Sequence, residues 1–570
     1  MGADFEFGHD VRDIPSTSSL DYMYQTDHVW TPVVELVRRL SGLTDLVFQC
    51  LSQFPPSLLL VVHEKRIARL HLRTWHLRSL ENWTVKDPHE LALIRSSSLY
   101  SIWLSPAECL ELYARPVERC PQVEAVYQML TTKGLAPNLR DLRKCHYPEP
   151  VPRDHPFIFR AEQSCENALG KETRLLPLRN LQLSRPCSSR SDMKRGEPFE
   201  KRHVAEWRAR IDMSALESLT LLAPLRQDAI ESLSALSFPL LTSLSLHLRA
   251  LREEDLEAVD YYKAARHFLS TLAQLKRLHL LGWNHGVVSL AGHDGNISGL
   301  PNHRLKRLWL APVSHEYAAD GHNLGPPPTK QQIIELGNRY PAVEDLSISV
   351  KRSTGDRDEV DRYRAIGGSF KMLKRLSLEL DASPSRSVIR NRPPSGPAFA
   401  TSHFQNSFGR KLAPGKLGRY YTNGHIMEAM VNAAVDSDLA KAIFHTIIQA
   451  SCASGSTCQL KTMLLRARGF ELFWIPHLLW DGSFWLAGSR SNLELDRWGR
   501  GLQRTYFLDN RGLGGTTIRE LDIAFNRDRV GGIESDNLFW KIFAKLWPQA
   551  VTVGSDGWAT KWKSWPLKTG

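Results

Sequence analysis

Leu275-Lys-Arg-Leu-His-Leu280 returns as Leu305-Lys-Arg-Leu-Trp-Leu310 and again as Leu373-Lys-Arg-Leu-Ser-Leu378. Self-similarity at an interval of tens of residues is the mark of a repeat array. Side chains alternate along an extended strand, so the residues at the fourth and sixth places point one way and those at the third and fifth the other. The leucines then fill a core between the strand and the returning segment. Each repeat supplies one apolar layer and one pair of exposed residues.

The same Leu-x-x-Leu-x-Leu spacing, the strand half of a leucine-rich repeat, extends in both directions. Upstream it is carried by Leu43-Leu46-Phe48, Ile67-Leu70-Leu72, Leu99-Ile102-Leu104, a weaker Leu139-Leu142, Leu178-Leu181-Leu183, Leu216-Leu219-Leu221 and Leu241-Leu244-Leu246. Val343-Leu346-Ile348 lies between the last two quoted copies, and Leu460-Met463-Leu465 and Ile518-Leu521-Ile523 follow. First anchors up to Leu373 are 24 to 40 residues apart. Repeats longer than about 20–29 residues must carry full helices and insertions on the return path. A helical stripe over Glu253–Ala273, a Thr329-capped helix ending before Pro341, and stripes from Ile426 and from Leu439 meet that requirement. Val33, Leu36, Val37 and Leu40 predict a first helix, and Ser535 opens a last one that stops at Pro548.

The expected fold is α/β: a leucine-rich-repeat solenoid, or horseshoe, with long helix-containing repeats and a Trp-rich C-terminal cap. Residues 1–28 read as a polar, disordered arm, 29–380 as the solenoid, 381–424 as a linker or long loop, and 425–570 as C-terminal repeats and capping region. Residues 184–210 and 311–328 read as surface insertions. Nine of the 16 tryptophans fall between Trp474 and Trp565, where large aromatics would cover the open end of the array.

Across 570 residues the formal charge is +12 and the pI near 9.3, which suits acidic partners without selecting one, because both signs are mixed along the chain. Eight scattered cysteines without paired spacing suggest reduced thiols and an intracellular protein, cytoplasmic or nuclear. The acidic N-terminal residues Asp4, Glu6, Asp10 and Asp13 do not form a secretory signal, and no apolar run approaches a membrane span. The sequons at Asn82 and Asn296 then read as chance matches.

The leucine pattern, the long repeats and the Trp-rich tail together resemble the repeat half of the F-box/leucine-rich-repeat proteins of filamentous fungi. That resemblance implies substrate recognition for a ubiquitin ligase, with an F-box docking on the adaptor Skp1. It covers about Val33 to Leu567. No Leu-Pro-x-Glu helix start stands in residues 1 to 42, so Skp1 would be a partner only through an F-box outside this chain.

No nucleophile elbow, Walker loop, metalloprotease motif or dinucleotide fingerprint is present, and a non-enzyme is expected. Arg511-Gly-Leu-Gly-Gly-Thr-Thr precedes a strand rather than a helix and reads as a turn. His285, His293, His303, His315 and His322 lack a cysteine or a knuckle spacing, and Cys452 and Cys458 share a Ser/Gly loop. No metal and no cofactor are expected. The ladder of third and fifth places is the informative surface. From Asn180 and Gln182 through Ser218, Thr220, Ser243 and Ser245 it is hydroxyl and amide; then Arg277, His279, Arg307, Trp309 and, beyond Asp345, Arg375 form a basic patch around an aromatic. Arg and Trp are enriched in binding hot spots. The expected function is a monomeric protein-interaction solenoid holding an acidic or phosphorylated protein segment at these residues. A nucleic-acid-binding scaffold using the same patch is the second class and an enzyme a distant third; the bland reading of the patch itself is a solvated basic face without a partner.

Overall fold

The computed structural model describes residues 24–50, 53–67, 69–73, 87–104, 127, 130, 136–145, 175–184, 198–249, 257–282, 304–311, 327–383, 423–455, 459–468, 502–510, 515–521, 538–551 and 562–568. The chain divides into two compact units, Met1–Leu241 and Thr242–Gly570.

In the first unit six strands pair in parallel and in sequence order: β1 (Asp45–Phe48), β2 (Arg69–Leu72), β3 (Leu99–Leu104), β4 (Asp141–Cys145), β5 (Asn180–Ser184) and β6 (Ser218–Leu225). Parallel neighbours cannot be joined by a hairpin, so the chain must return between strands. It does so partly through α1 (Thr31–Arg39), α2 (Pro56–Glu64), α3 (Pro88–Ile94), α4 (Lys201–Arg210) and α5 (Gln227–Ser234). Proline stands in the first turn of each of the first three, where its missing N–H costs nothing.

In the second unit β7 (Ser243–Leu248), β8 (Arg277–Leu281), β9 (Arg307–Ala311), β10 (Asp345–Lys351), β11 (Arg375–Asp381) and β12 (Thr462–Arg468) likewise pair in parallel and in sequence order. Its helices are α6 (Ala258–Ser270), α7 (Lys330–Arg339), α8 (Arg357–Ser369), α9 (Asn423–Ala433), α10 (Ser437–Ala453), α11 (Leu538–Leu546) and α12 (Pro548–Val551). Thr329 caps α7 in a reciprocal box with Gln332, as its sequence predicts. α8 and α10 approach so closely that Gly367 has no room for a Cβ against the Ile447 carbonyl.

From Ile67 onward every leucine-pattern anchor through Leu378 is at most 5% exposed. The quoted leucines, Leu278, Leu280, Leu308, Leu310, Leu376 and Leu378, are therefore core, and their neighbours at the third and fifth places lie on the other face. From β5 onward the ladder is extended by a recurring bond just before many of the strands: the Lys276 carbonyl accepts from both Lys306 and Arg307 N–H, and the Lys306 carbonyl accepts from Glu344 and Asp345.

Four expectations need correction. In α1 the buried residues are Val34 and Val37, while Val33 and Leu36 face out, so the apolar stripe sits one position off the predicted one. Residues 201–210, read as insertion, form α4, which buries Val204 and Trp207. Thr505–Asp509 forms a strand, β13, that the aromatic-rich reading of this region did not separate. The last predicted repeat strand is β14 (Thr517–Glu520), antiparallel to β13, which is itself antiparallel to β12. A seven-residue connection around the Arg511 glycines makes a hairpin, and a parallel crossover needs a dozen residues or more. The histidines from His285 to His322, Cys458 and Trp474, Trp480, Trp485, Trp498 and Trp558 lie outside the described residues.

The second unit is tied together by a buried ion pair. Arg352 and Glu359 have no exposed side-chain surface, and the guanidinium Nη1 donates to both carboxylate oxygens at 2.6 and 2.7 Å. Glu359 also accepts from the N–H groups of Ser353 and Gly355 and from the Tyr363 hydroxyl, while Arg352 Nη2 donates to the Trp565 carbonyl. The C-terminal segment is held further by Lys568 N–H on the Gly355 carbonyl and by Ser564 on Asp436. Trp547 and Trp562 are buried beside it, with Trp547 Nε1 donating to the Lys563 carbonyl.

By equilibrium denaturation, Leu308→Ala should cost about 2–5 kcal/mol and Glu359→Ala about 3–5 kcal/mol, since it strands a buried guanidinium. Lys276→Ala, on the exposed side, should shift stability by less than about 0.5 kcal/mol. Equal losses at Leu308 and Lys276 would contradict the inward and outward assignment.

Candidate functional site

Strand register brings the predicted residues of the second unit together. Arg277 pairs laterally with Arg307, Arg307 with Asp345, and Asp345 with Arg375; one step along, His279 lies beside Trp309 and Trp309 beside Ser347. Neighbouring positions are about 4.8 Å apart, within reach of long side chains. Arg277, Arg307 and Arg375 are exposed, and Trp309 retains 45% exposure.

Charge is distributed unevenly among them. Asp345 takes both Arg307, at 3.7 Å, and Arg375, at 3.1 Å. One place earlier, Glu344 takes Lys306 and Lys374. The sequence reason is plain once the register is known: Val343-Glu-Asp-Leu346 is the charge inverse of Leu-Lys-Arg-Leu and sits between two copies of it. Two lysine donors hold the Glu344 carboxyl at about 2, well below its ordinary 4.5. On the other side β7 offers only Thr242, Ser243 and Ser245. Lys276 and Arg277 therefore stand against Lys306 and Arg307 with no acidic partner among the described residues. Like charges directly opposite on a sheet repel, and an incoming anion would relieve that repulsion.

Burial pushes the pKa of His279 down, so at neutral pH it adds an uncharged ring, placed 3.1 Å from the Ser245 hydroxyl and edge-on to Trp309 at 5.4 Å between centroids. The position-two column of Lys276, Lys306, Glu344 and Lys374 was not singled out in the sequence, although the repeated Leu-Lys-Arg-Leu carries it.

The exposed strand face of the first unit holds a second polar cluster. Asp45 accepts from Arg69 at 2.7 Å, and His71 stands between Asp45 at 3.1 Å and the Ser101 hydroxyl at 3.0 Å. The Asp-His-Ser succession resembles a nucleophile relay, but Ser101 is only 4% exposed, and the strand N–H groups beside it serve the ladder rather than an oxyanion. The arrangement orders the surface. Next to it Trp103 carries Arg143 and Arg73 over its ring, and Arg69 lies over Tyr100. Among the described residues no group of three or more His, Cys, Asp or Glu could hold a metal ion, and no helix is long and apolar enough to cross a membrane.

No protein-family model and no curated protein matches the chain. A solved structure of a protein from Bacteroides fragilis is 10% identical, with a TM-score of 0.21, over 55% of this chain and 60% of that one.

Because the folded carboxyl of Glu344 is depressed, its contribution to stability is complete above about pH 4.5 and is lost as the pH falls toward about 2. Glu344→Gln should lower the melting temperature at pH 7, and the gap to the parent chain should close between those values. A gap that stays constant through that window would contradict the pairing with Lys306 and Lys374.

Proposed function

We propose that this chain is a protein-recognition solenoid of the leucine-rich-repeat class. Its strands line the concave side of a horseshoe, its Trp-rich tail caps the array, and its basic face holds an acidic or phosphorylated segment of a partner protein. The observation that carries the reading is the uncompensated pair Lys276 and Arg277, pressed against Lys306 and Arg307 and bordered by the exposed indole of Trp309. Guanidinium groups give forked, charge-assisted bonds to carboxylate or phosphate, and the indole supplies the apolar contact that anchors such a segment. Arg307 and Arg375, already shared by Asp345, orient the ligand more than they attract it. In this reading the chain serves as a substrate receptor of the F-box type, reaching Skp1 only through an F-box outside it.

The test is titration of acidic phosphopeptides and of a random single-stranded oligonucleotide, each at two salt concentrations. Phosphopeptide affinity should fall about tenfold or more in Arg277→Ala, as loss of a charged hydrogen bond does, and Arg277→Lys should not restore it, because Lys lacks the fork. Trp309→Ala should weaken the same peptides. Oligonucleotide binding without peptide binding, with log affinity falling by about 0.7 per log salt for each phosphate contacted, would replace this reading with the nucleic-acid one.

A further inference from the structure

The row formed by Arg73, Trp103 and Arg143 in the first unit is separate from the face just described. Trp103 and Arg143 are register partners on β3 and β4, and Arg73 follows the last residue of β2. Arg73 lies over the Trp103 ring at 4.9 Å and Arg143 at 4.4 Å. β2 and β4 flank β3, so the two guanidiniums come onto the indole from opposite sides. Stacking fixes their planes and leaves their N–H edges pointing away from the ring.

Three features define what this row would bind. Both faces of the indole are occupied by guanidinium, so a nucleobase has no ring face to stack on, and the ligand must be recognised by its anionic groups. Arg73 is exposed and bonds only the neutral Gln49 amide, at 3.2 Å, with no acidic partner among the described residues. Arg143 has Asp141 at 3.6 Å from its Nε, a contact longer than a hydrogen bond, so a dianion with several acceptor oxygens can compete for this guanidinium.

The separation sets the spacing. The two guanidinium carbons, at 4.9 and 4.4 Å from one ring centroid, stand at most about 9.3 Å apart, in keeping with a spacing of two strands, each step about 4.8 Å. In a polyproline II segment, residues three apart lie on the same side at about 9.3 Å. Residues two apart in an extended strand share a side at only about 6.8 Å. We infer that Arg73 and Arg143, held apart by Trp103, form a binding site for a protein segment carrying two phosphoserines three residues apart in polyproline II conformation.

The experiment uses the full chain and three fluorescent peptides: two phosphoserines separated by two prolines, two phosphoserines separated by one residue, and the unphosphorylated parent. Anisotropy should show the first peptide binding about tenfold tighter than the other two. Arg73→Ala and Arg143→Lys should each remove that preference, while Arg277→Ala should leave it intact, which separates this site from the proposed basic face. Both substitutions are at exposed or half-buried positions, and unchanged melting curves would show that the fold is kept. Equal affinity for the two phosphorylated spacings would overturn the inference. So would a preference that survives both substitutions, or one that disappears in Arg277→Ala.

Discussion

Register is the constraint on which the rest depends. Ahead of seven of the parallel strands one carbonyl accepts two N–H groups from the next repeat: Arg140 from Arg179 and Asn180, Arg179 from Glu217 and Ser218 in the first unit, and Thr242, Lys276, Lys306, Glu344 and Lys374 in the second. A slip of one residue would break that double bond and turn three leucines per strand toward water. At about 25 cal/mol per Å² of apolar surface, that penalty outweighs any preference of the exposed side chains. The exposed residues are therefore free to vary while their positions are not. Each sequence place becomes a column running across the strands.

Columns turn local sequence into long-range chemistry. Leu-Lys-Arg-Leu followed by Val-Glu-Asp-Leu and again by Leu-Lys-Arg-Leu produces two three-membered charge chains, Lys306-Glu344-Lys374 and Arg307-Asp345-Arg375. The adjoining Lys276 and Arg277 fall outside both chains, and the positive face is concentrated there. In the first unit the same column logic sets Arg143 beside Trp103. Exposed pairs of this kind add little stability one by one. Their consequence is an electrostatic pattern on a rigid surface, while stability rests on the leucine layers and on the Arg352–Glu359 pair beneath the C-terminal segment.

The strands were legible because the ladder demands a large apolar residue at fixed places, and the register that sets Arg277, His279, Arg307, Trp309 and Arg375 on one face was legible with them. Helices were less so. The single position of difference between Val33 and Val34 in α1 is set by packing, and α4 has only Val204 and Trp207 to mark its inner face. Strand β4 was weakly marked because Lys144 occupies an inward place, buried over the Tyr127 ring, and the Asp141 and Arg143 surface was lost with it. Arg352 and Glu359 illustrate the remaining limit. Charged residues are almost never fully buried unless paired, and a pair seven residues apart across a turn carries no periodic signal. The downward push on the His279 pKa comes from burial and is likewise invisible in its letters.

Acids placed by register at Glu344 and Asp345 confine the free positive charge of this face to Lys276 and Arg277. The direct measurement is phosphopeptide affinity in the double substitution Glu344→Lys and Asp345→Arg. It removes both acids and frees Lys306, Arg307, Lys374 and Arg375 at once. Binding should tighten at low salt, an advantage that shrinks as salt is raised, and the melting temperature should fall. Unchanged or weaker binding by a chain that still folds would contradict this confinement.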